Sequence, residues 1–109
     1  MTPHQVVLTD DAQTDLQDIY DYVADHDAPL KAEQLLEKLE KLVASLTLSP
    51  ERGAVTKELR DLGIREYREV YFKPYRVIYR TISKTVVVYL LVDGRRDMQA
   101  LLLRRLAGG

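Results

Sequence analysis

The sequence of 109 residues contains no cysteine and no long hydrophobic run. The absence of cysteine excludes disulfides, thiolate nucleophiles and zinc sites with sulfur ligands, and it fits a reducing compartment. The most apolar stretch, residues 86–93, already includes an acid and is far shorter than the roughly 18 residues that cross a bilayer. The first residues lack the basic and apolar regions of a signal peptide. We therefore expect a soluble, cytoplasmic protein with no role at a membrane.

Glycine and histidine are also scarce, which excludes several common sites. The five glycines form neither a phosphate-binding loop nor a dinucleotide-binding fingerprint. His4 lies near the N-terminus and His26 at a predicted helix end, so we expect both on the surface rather than beside an activated serine. Carboxylates and histidines do not occur at metal-ligand spacing. The sequence therefore predicts no catalytic residue, no metal site and no cofactor.

Charge is nearly balanced overall but divided along the chain. The length suits one domain, residues 1–109, and the net charge of -1 gives no support for a nucleic-acid partner. Residues 1–48 carry ten acidic and three basic side chains, whereas residues 49–109 carry seven acidic and thirteen basic ones. The near-neutral total therefore conceals an acidic half and a basic half.

Two amphipathic helices are predicted in the acidic half. Thr9 and the two aspartates after it suit a helix start, and Pro29 suits the first turn of a second helix that ends before Ser49. The short link between the helices predicts an antiparallel hairpin. The apolar stripes are Ala12, Leu16, Ile19, Tyr20 and Val23 in the first helix and Leu35, Leu36, Leu39, Leu42, Val43 and Leu46 in the second. The acids expected on the solvated face of the first helix are Asp15, Asp18, Asp21 and Asp25.

The basic half predicts a sheet. After a connector over residues 49–63, three segments rich in β-branched and aromatic residues follow at 64–72, 75–83 and 85–94. Their short links predict antiparallel neighbours. The last segment is apolar at both alternating sets of positions, which is typical of a central strand covered on both faces. In the second segment, Arg76 and Arg80 predict one cationic face.

A short C-terminal helix completes the predicted fold, capped by Asp97 and ended by Gly108. The fold class is α+β: a short N-terminal strand at residues 4–8, an antiparallel helix hairpin, a three-stranded antiparallel sheet and the C-terminal helix. The helix has four leucines, too many for one narrow buried stripe. Some of them are therefore exposed and available for an apolar contact, unless all four pack on the sheet. They are Leu101, Leu102, Leu103 and Leu106.

Arginine and tyrosine are concentrated in the basic half. Both types are enriched at protein interfaces, and both also suit phosphate contacts and base stacking. A third interpretation is internal, because nearby acids can pair with the arginines: Glu66, Glu69, Asp93 and Asp97. The composition leaves these three interpretations open. The interface candidates are Arg65, Tyr67, Arg68, Arg76, Arg80, Arg95 and Arg96.

Three strings in the basic half resemble the ParE/RelE superfamily of toxins: GIREYREVYFKPYRVIYRTI, VVVYLLVDGRRDM and LLLRRL. The resemblance covers almost the whole chain and implies the toxin of a bacterial type II toxin–antitoxin module. It implies a ParD-like antitoxin as partner, a ribbon–helix–helix protein with an acidic C-terminal segment. We expect that segment to fold over the basic sheet and residues 101–106.

Two functions divide this superfamily. RelE-like members cleave mRNA on the ribosome with basic residues on the sheet and an acid/base residue, such as tyrosine, near the C-terminus. Arg65 or Arg68 and Arg96 match basic positions, but no tyrosine follows Tyr89. A lost proton-transfer group costs about 10²–10⁴ in rate. The resemblance therefore favours the ParE branch, whose members bind and inhibit DNA gyrase and block replication.

The ParE interpretation implies no enzymatic activity of the chain and no direct DNA binding by the toxin alone. Two alternatives stay open from the sequence, a RelE-like ribosome-dependent mRNA endonuclease and a non-toxic adaptor domain of the same fold.

Overall fold

A mixed sheet with helices on both faces forms the structure, a computed structural model that describes residues 3–107. The strands are β1 (Gln5–Leu8), β2 (Ala54–Val55), β3 (Tyr67–Phe72), β4 (Tyr75–Ile82) and β5 (Thr85–Asp93). The helices are α1 (Asp10–His26), α2 (Pro29–Ala44), α3 (Lys57–Arg60) and α4 (Met98–Ala107). The predicted α+β class is confirmed. In the described range, no helix has the length and hydropathy needed to cross a membrane.

The strand order is β1-β5-β4-β3-β2, so the sheet has five strands rather than three. The predicted antiparallel core of β3, β4 and β5 is confirmed. The count was wrong because β1 adds in parallel to β5 and β2 adds antiparallel to β3. Parallel pairing joins segments about 80 residues apart, and a two-residue strand has no alternating pattern, so neither addition is visible in local sequence.

The helix hairpin forms as the sequence predicts. The Thr9 hydroxyl oxygen accepts from the Ala12 N–H at 3.1 Å, and Pro29 occupies the first turn of α2. A short 3₁₀ turn at Ser45–Thr47 ends the second helix. The hairpin covers one face of the sheet with a core that includes Ala12, Val43, Leu46, Val77, Tyr79, Val86, Val88 and Leu91.

Strand β5 is buried on both faces, which confirms the prediction of a central strand. Its register shifts opposite β4, where Ile78 pairs with Leu90 but Tyr79 pairs with Val88. The extra residue, Tyr89, forms a bulge that reverses the alternation of the side chains beyond it. As a result, Val88 packs in the core under the hairpin, whereas Leu90 packs on the opposite face.

The second face of the sheet is covered by α3 and α4. Its core comprises Leu59, Ile78, Leu90, Val92, Met98, Leu101 and Leu102. The predicted cap of α4 is confirmed, because the Asp97 carboxylate accepts from the Ala100 N–H at 3.1 Å. Gly108, the predicted end of this helix, lies outside the described residues.

The connector after α2 is tied to the sheet by one buried tyrosine. The Tyr79 hydroxyl donates to the Pro50 carbonyl at 2.7 Å and accepts from the Gly53 N–H at 3.1 Å. A Cβ at Gly53 would lie 2.5 Å from the Glu69 carbonyl oxygen, so this approach requires glycine. The connector thereby places the chain for β2 and α3.

Candidate functional site

The acidic and basic halves of the sequence form different surfaces of the folded molecule. Nine of the ten acids of the hairpin are exposed, and Asp15 is the exception. The strands β2 to β5, α3, α4 and their connections carry seven acids and thirteen basic residues over positions 45–107. The molecule therefore presents an acidic hairpin on one side and basic side chains around the sheet and α4.

Two predicted interface arginines lie next to each other in the loop between β5 and α4. The Arg95 Nη2 atom donates to the Asp93 carboxylate at 2.6 Å, yet the Arg95 side chain remains 78% exposed. Hydrogen bonds from Arg95 lower the pKa of Asp93, so this carboxyl stays ionised. Arg96 is exposed and forms no side-chain ion pair within residues 3–107. Both arginines line a groove of about 470 Å³, which Tyr22 of α1 also lines.

Tyr67 and Arg80 come together on the sheet face that α4 partly covers. The Arg80 guanidinium carbon lies 5.9 Å from the centre of the Tyr67 ring, a cation–π distance. The Tyr67 ring meets the Tyr89 ring edge to face at 5.5 Å. Burial raises the pKa of the Tyr89 phenol, so this group stays protonated at neutral pH. These three side chains form an aromatic and cationic cluster.

Arg65 and Arg68 do not join that cluster. Arg65 is exposed in the loop before β3 and forms no side-chain ion pair within the described chain. Arg68 is half-buried and donates from Nη1 to the Gly53 carbonyl at 2.7 Å. Because neighbouring strand residues alternate between faces, Arg68 lies on the opposite face of β3 from Tyr67. The interface candidates are therefore distributed around the sheet rather than gathered in one patch.

Arg76 is not a free cation, which corrects its assignment to an exposed cationic face. Its guanidinium donates to both oxygens of Glu58 at 2.8 and 2.9 Å and to the carboxylate of Glu69. Hydrogen bonds from Arg76 lower the pKa of Glu58, and those acids raise the pKa of Arg76. The side chain is only 15% exposed. Arg76 therefore joins α3 to β3 and β4, and the internal-pairing interpretation is confirmed here.

The four leucines of α4 divide between core and surface. Leu101 and Leu102 are 5% and 0% exposed and pack on the sheet, so neither is available as a contact residue. Leu106 is half-buried beside the same core, whereas Leu103 is 46% exposed. The prediction that part of this set is exposed is confirmed, but only Leu103 clearly presents an apolar surface.

Comparison with known proteins identifies the family of this chain. A family model described as the ParE toxin of the type II toxin–antitoxin system parDE matches residues 6–98. The chain belongs to this ParE toxin family. The toxin ParE3 of Caulobacter vibrioides is 28% identical over 96 residues, which cover 88% of this chain and 92% of that relative.

Two solved structures share the fold of this ParE-family chain. One, described as a chromosomal ParDE toxin–antitoxin system from P. aeruginosa, superposes with a TM-score of 0.70 at 19% identity, covering 83% of this chain and 95% of that chain. The other, the RelBE2 toxin–antitoxin complex from Mycobacterium tuberculosis, gives a TM-score of 0.63 at 22% identity, covering 85% and 93%. At these identities the two likenesses concern the fold.

One pairing of this ParE-family toxin was missed by the sequence interpretation. Asp15 was expected on the solvated face, but it is 8% exposed and accepts from both Nη atoms of Arg105, at 2.7 and 2.9 Å. Its position was the signal, because it lies three residues after Ala12 and four before Ile19, on the buried stripe. The partner, in α4, could not be found from helical spacing.

The Asp15–Arg105 pair caps the part of β5 that β1 leaves uncovered. The pairing of β1 with β5 ends at Leu8 and Val88. Beyond that point the Leu91 N–H donates to Asp15 at 3.1 Å, and the Tyr89 carbonyl accepts from Arg105 at 3.1 Å. Hydrogen bonding to Asp15 raises the pKa of Arg105, so the guanidinium keeps its charge. The two side chains thus satisfy an open strand edge and hold α4 against the sheet.

The ParE-family chain offers few groups for proton transfer beside its arginines. His26 stacks on Tyr22 with ring centres 4.1 Å apart at the end of α1, and His4 precedes β1. No tyrosine or histidine occurs in the sequence after Tyr89, so α4 supplies no acid/base group. Within residues 3–107, no three metal-ligating side chains come together.

Proposed function

We propose that this ParE-family toxin inhibits DNA gyrase by protein–protein binding and thereby blocks replication. The observation that supports the proposal is the combination of exposed arginines with the absence of an acid/base group in α4. Arginine alone stabilises charge on phosphate, but cleavage of a phosphodiester also needs proton transfer to and from the reacting oxygens. Exposed Arg95 and Arg96 are instead of a residue type enriched at protein interfaces, and Leu103 adds exposed apolar surface.

A ribosome-dependent mRNA endonuclease is the second candidate function. The cluster of Tyr67, Arg80 and Tyr89 is the observation that favours it, because aromatic rings stack bases and arginine contacts phosphate. Burial raises the pKa of Tyr89, so its phenolate, the form that could accept a proton, is scarcely populated at neutral pH. The cluster therefore supplies part of a cleavage site and lacks the residue that would activate the attacking hydroxyl.

The proposed function is tested with purified toxin in two parallel assays. We expect inhibition of DNA supercoiling by purified gyrase at micromolar toxin, together with accumulation of cleaved DNA bound to gyrase. Translating ribosomes programmed with a defined mRNA provide the second assay, in which we expect the transcript to remain intact. Cleavage of that mRNA without any effect on gyrase would show that the endonuclease function is the correct one. No growth arrest on expression would instead favour the adaptor alternative.

We further propose that a ParD-like antitoxin places an acidic, amphipathic C-terminal segment over the basic half. Both solved structures of the same fold are described as toxin–antitoxin systems or complexes, which supports an antitoxin as partner. Arg65, Arg95 and Arg96 are exposed and can receive acidic side chains, and Leu103 offers an exposed apolar side chain on α4. Charge sets the association rate of such a complex, whereas buried apolar contacts prolong its lifetime.

Replacing Leu103 by serine is expected to increase the antitoxin dissociation rate about tenfold, because an exposed leucine becomes buried only in the complex. Surface plasmon resonance with immobilised antitoxin measures this rate. The free energy of unfolding of the toxin should change by no more than about 0.5 kcal/mol. Leu102→Ser is the matched comparison, since burial of Leu102 predicts a loss of about 2–5 kcal/mol in stability. An unchanged dissociation rate for Leu103→Ser would contradict the proposal that α4 is part of the antitoxin site.

A further inference from the structure

A groove of about 510 Å³ runs between α1 and α2, and every residue that lines it belongs to these two helices. Leu16, Tyr20 and Leu36 line the groove with half-exposed apolar surface. Glu33 and Glu40 lie on the α2 side and are exposed. The groove is thus an apolar surface bordered by carboxylates, and it lies on the acidic hairpin rather than on the basic half.

The two carboxylates at this groove are not neutralised by the lysines of α2. Lys31 lies 3.4 Å from Asp27, and Lys41 lies 3.1 Å from Glu37. Within the described residues, Glu33 and Glu40 form no ion pair. The hairpin from Asp10 to Ala44 carries ten acids and three lysines, so the surrounding field is strongly negative. A partner in this groove must therefore be cationic and must offer apolar side chains.

The proposed antitoxin segment does not meet that requirement, because it is acidic and suits the basic half. A protein that binds DNA meets the charge part of that requirement, because its DNA-contacting surface must be cationic to hold the phosphates. We infer that the groove between α1 and α2 docks onto a cationic, DNA-contacting surface of the toxin's target. This inference rests on the proposed function, under which the target is gyrase. The acidic hairpin then adds to the exposed arginines as a surface for the target, whereas the antitoxin segment lies over the basic half alone.

The charge and the apolar surface have separate roles in this docking. The negative field of the hairpin accelerates encounter with the cationic surface, and this effect weakens as salt screens it. Tyr20 and Leu36, which are half-exposed in the free toxin, lose water only when the partner is seated. Affinity for gyrase should therefore fall with added salt, because salt screens the charges. The contribution of the apolar contacts should remain at high salt.

The test is a double variant at the groove, Glu33→Lys with Glu40→Lys, assayed against purified gyrase holoenzyme. We expect the dissociation constant for gyrase to rise about tenfold or more, because both charges at the groove are reversed. Affinity for the cognate antitoxin should stay within about twofold. The matched control is Glu51→Lys with Asp61→Lys, which changes the net charge equally but lies outside the hairpin. This control should bind gyrase like the wild type.

Circular dichroism and thermal melting of all four proteins, including the cognate antitoxin, confirm that the variants are folded. If the wild type binds gyrase and the groove variant binds it equally well, the inference is wrong and the proposed function stands. If the groove variant binds the antitoxin more weakly but gyrase equally well, the groove has a different occupant and the inference is again wrong. The same holds if the only change is weaker self-association, measured by analytical ultracentrifugation. If the wild type itself does not bind gyrase, the proposed function fails first.

Discussion

Replacing Arg105 by methionine is expected to lower the free energy of unfolding by about 3–5 kcal/mol. Methionine keeps the apolar stem of the side chain but removes the guanidinium. Asp15, with its side chain 9% exposed, then keeps a buried negative charge whose one remaining hydrogen-bond donor among residues 3–107 is the Leu91 N–H at 3.1 Å. An ionised carboxylate without its cation in such a place is strongly unfavourable. Urea unfolding followed by far-ultraviolet circular dichroism measures the loss.

Arg104→Met is the matched control for this prediction, because Arg104 is the preceding residue of α4 and is exposed. We expect its effect to remain within about 0.5 kcal/mol. The double variant Asp15→Asn with Arg105→Met should recover part of the loss, since the buried charge is removed with its partner. A loss below about 1 kcal/mol for Arg105→Met would mean that the pair does not hold α4 against the sheet.

Replacing Arg76 by methionine is expected to cost about 3–5 kcal/mol at pH 7. Glu58 and Glu69 both contact the same nitrogen of Arg76, so its removal leaves two carboxylates close together without a cation. The side chain of Arg76 is 15% exposed, and that of Glu69 is 10% exposed, so water screens the repulsion only in part. Tyrosine fluorescence during urea unfolding provides the measurement. Arg65→Met, at an exposed position, is the control.

The stability lost in Arg76→Met should also depend on pH, and the direction of this dependence follows from the pKa of Glu58. In the wild type Arg76 lowers the pKa of Glu58. A carboxyl whose pKa is lowered by folding contributes stability above its unfolded pKa, and that contribution disappears as the pH falls through the folded value. In the variant, protonation instead relieves repulsion between the two acids. The difference between wild type and variant should therefore shrink from pH 7 to below about pH 4. A difference that stayed constant over this range would contradict the assignment of charge to this cluster.

Local patterns were sufficient for most of the fold. The stripe from Ala12 to Val23 and the cap at Thr9 predicted α1, because helix formation depends on neighbours three and four residues apart. Apolar residues at both sets of alternating positions predicted that β5 is central. The bulge at Tyr89, which reverses that alternation, could not be predicted because it depends on pairing with β4.

The side-chain pairs that organise the site were less accessible to sequence reasoning. Asp15 and Arg105 are 90 positions apart, and helical periodicity does not relate residues at that separation. The alternation of residues in β4 predicted Arg76 on a cationic face, yet Glu58 of α3, which packs on that same face, neutralises it. Charge balance along the chain, by contrast, was informative, since the acidic half folds into one hairpin. The net charge of a segment predicts the charge of a surface when the whole segment folds into one continuous surface.

The most direct measurement of the central claim captures gyrase that is covalently attached to DNA in cells shortly after toxin induction. Messenger RNA integrity is followed by primer extension in the same cultures, and cells that also express the antitoxin serve as the control. If the toxin acts on gyrase, gyrase-linked DNA rises while transcripts remain intact, and the antitoxin abolishes the rise. Cleavage of transcripts within translated codons, with gyrase-linked DNA unchanged, would contradict that claim.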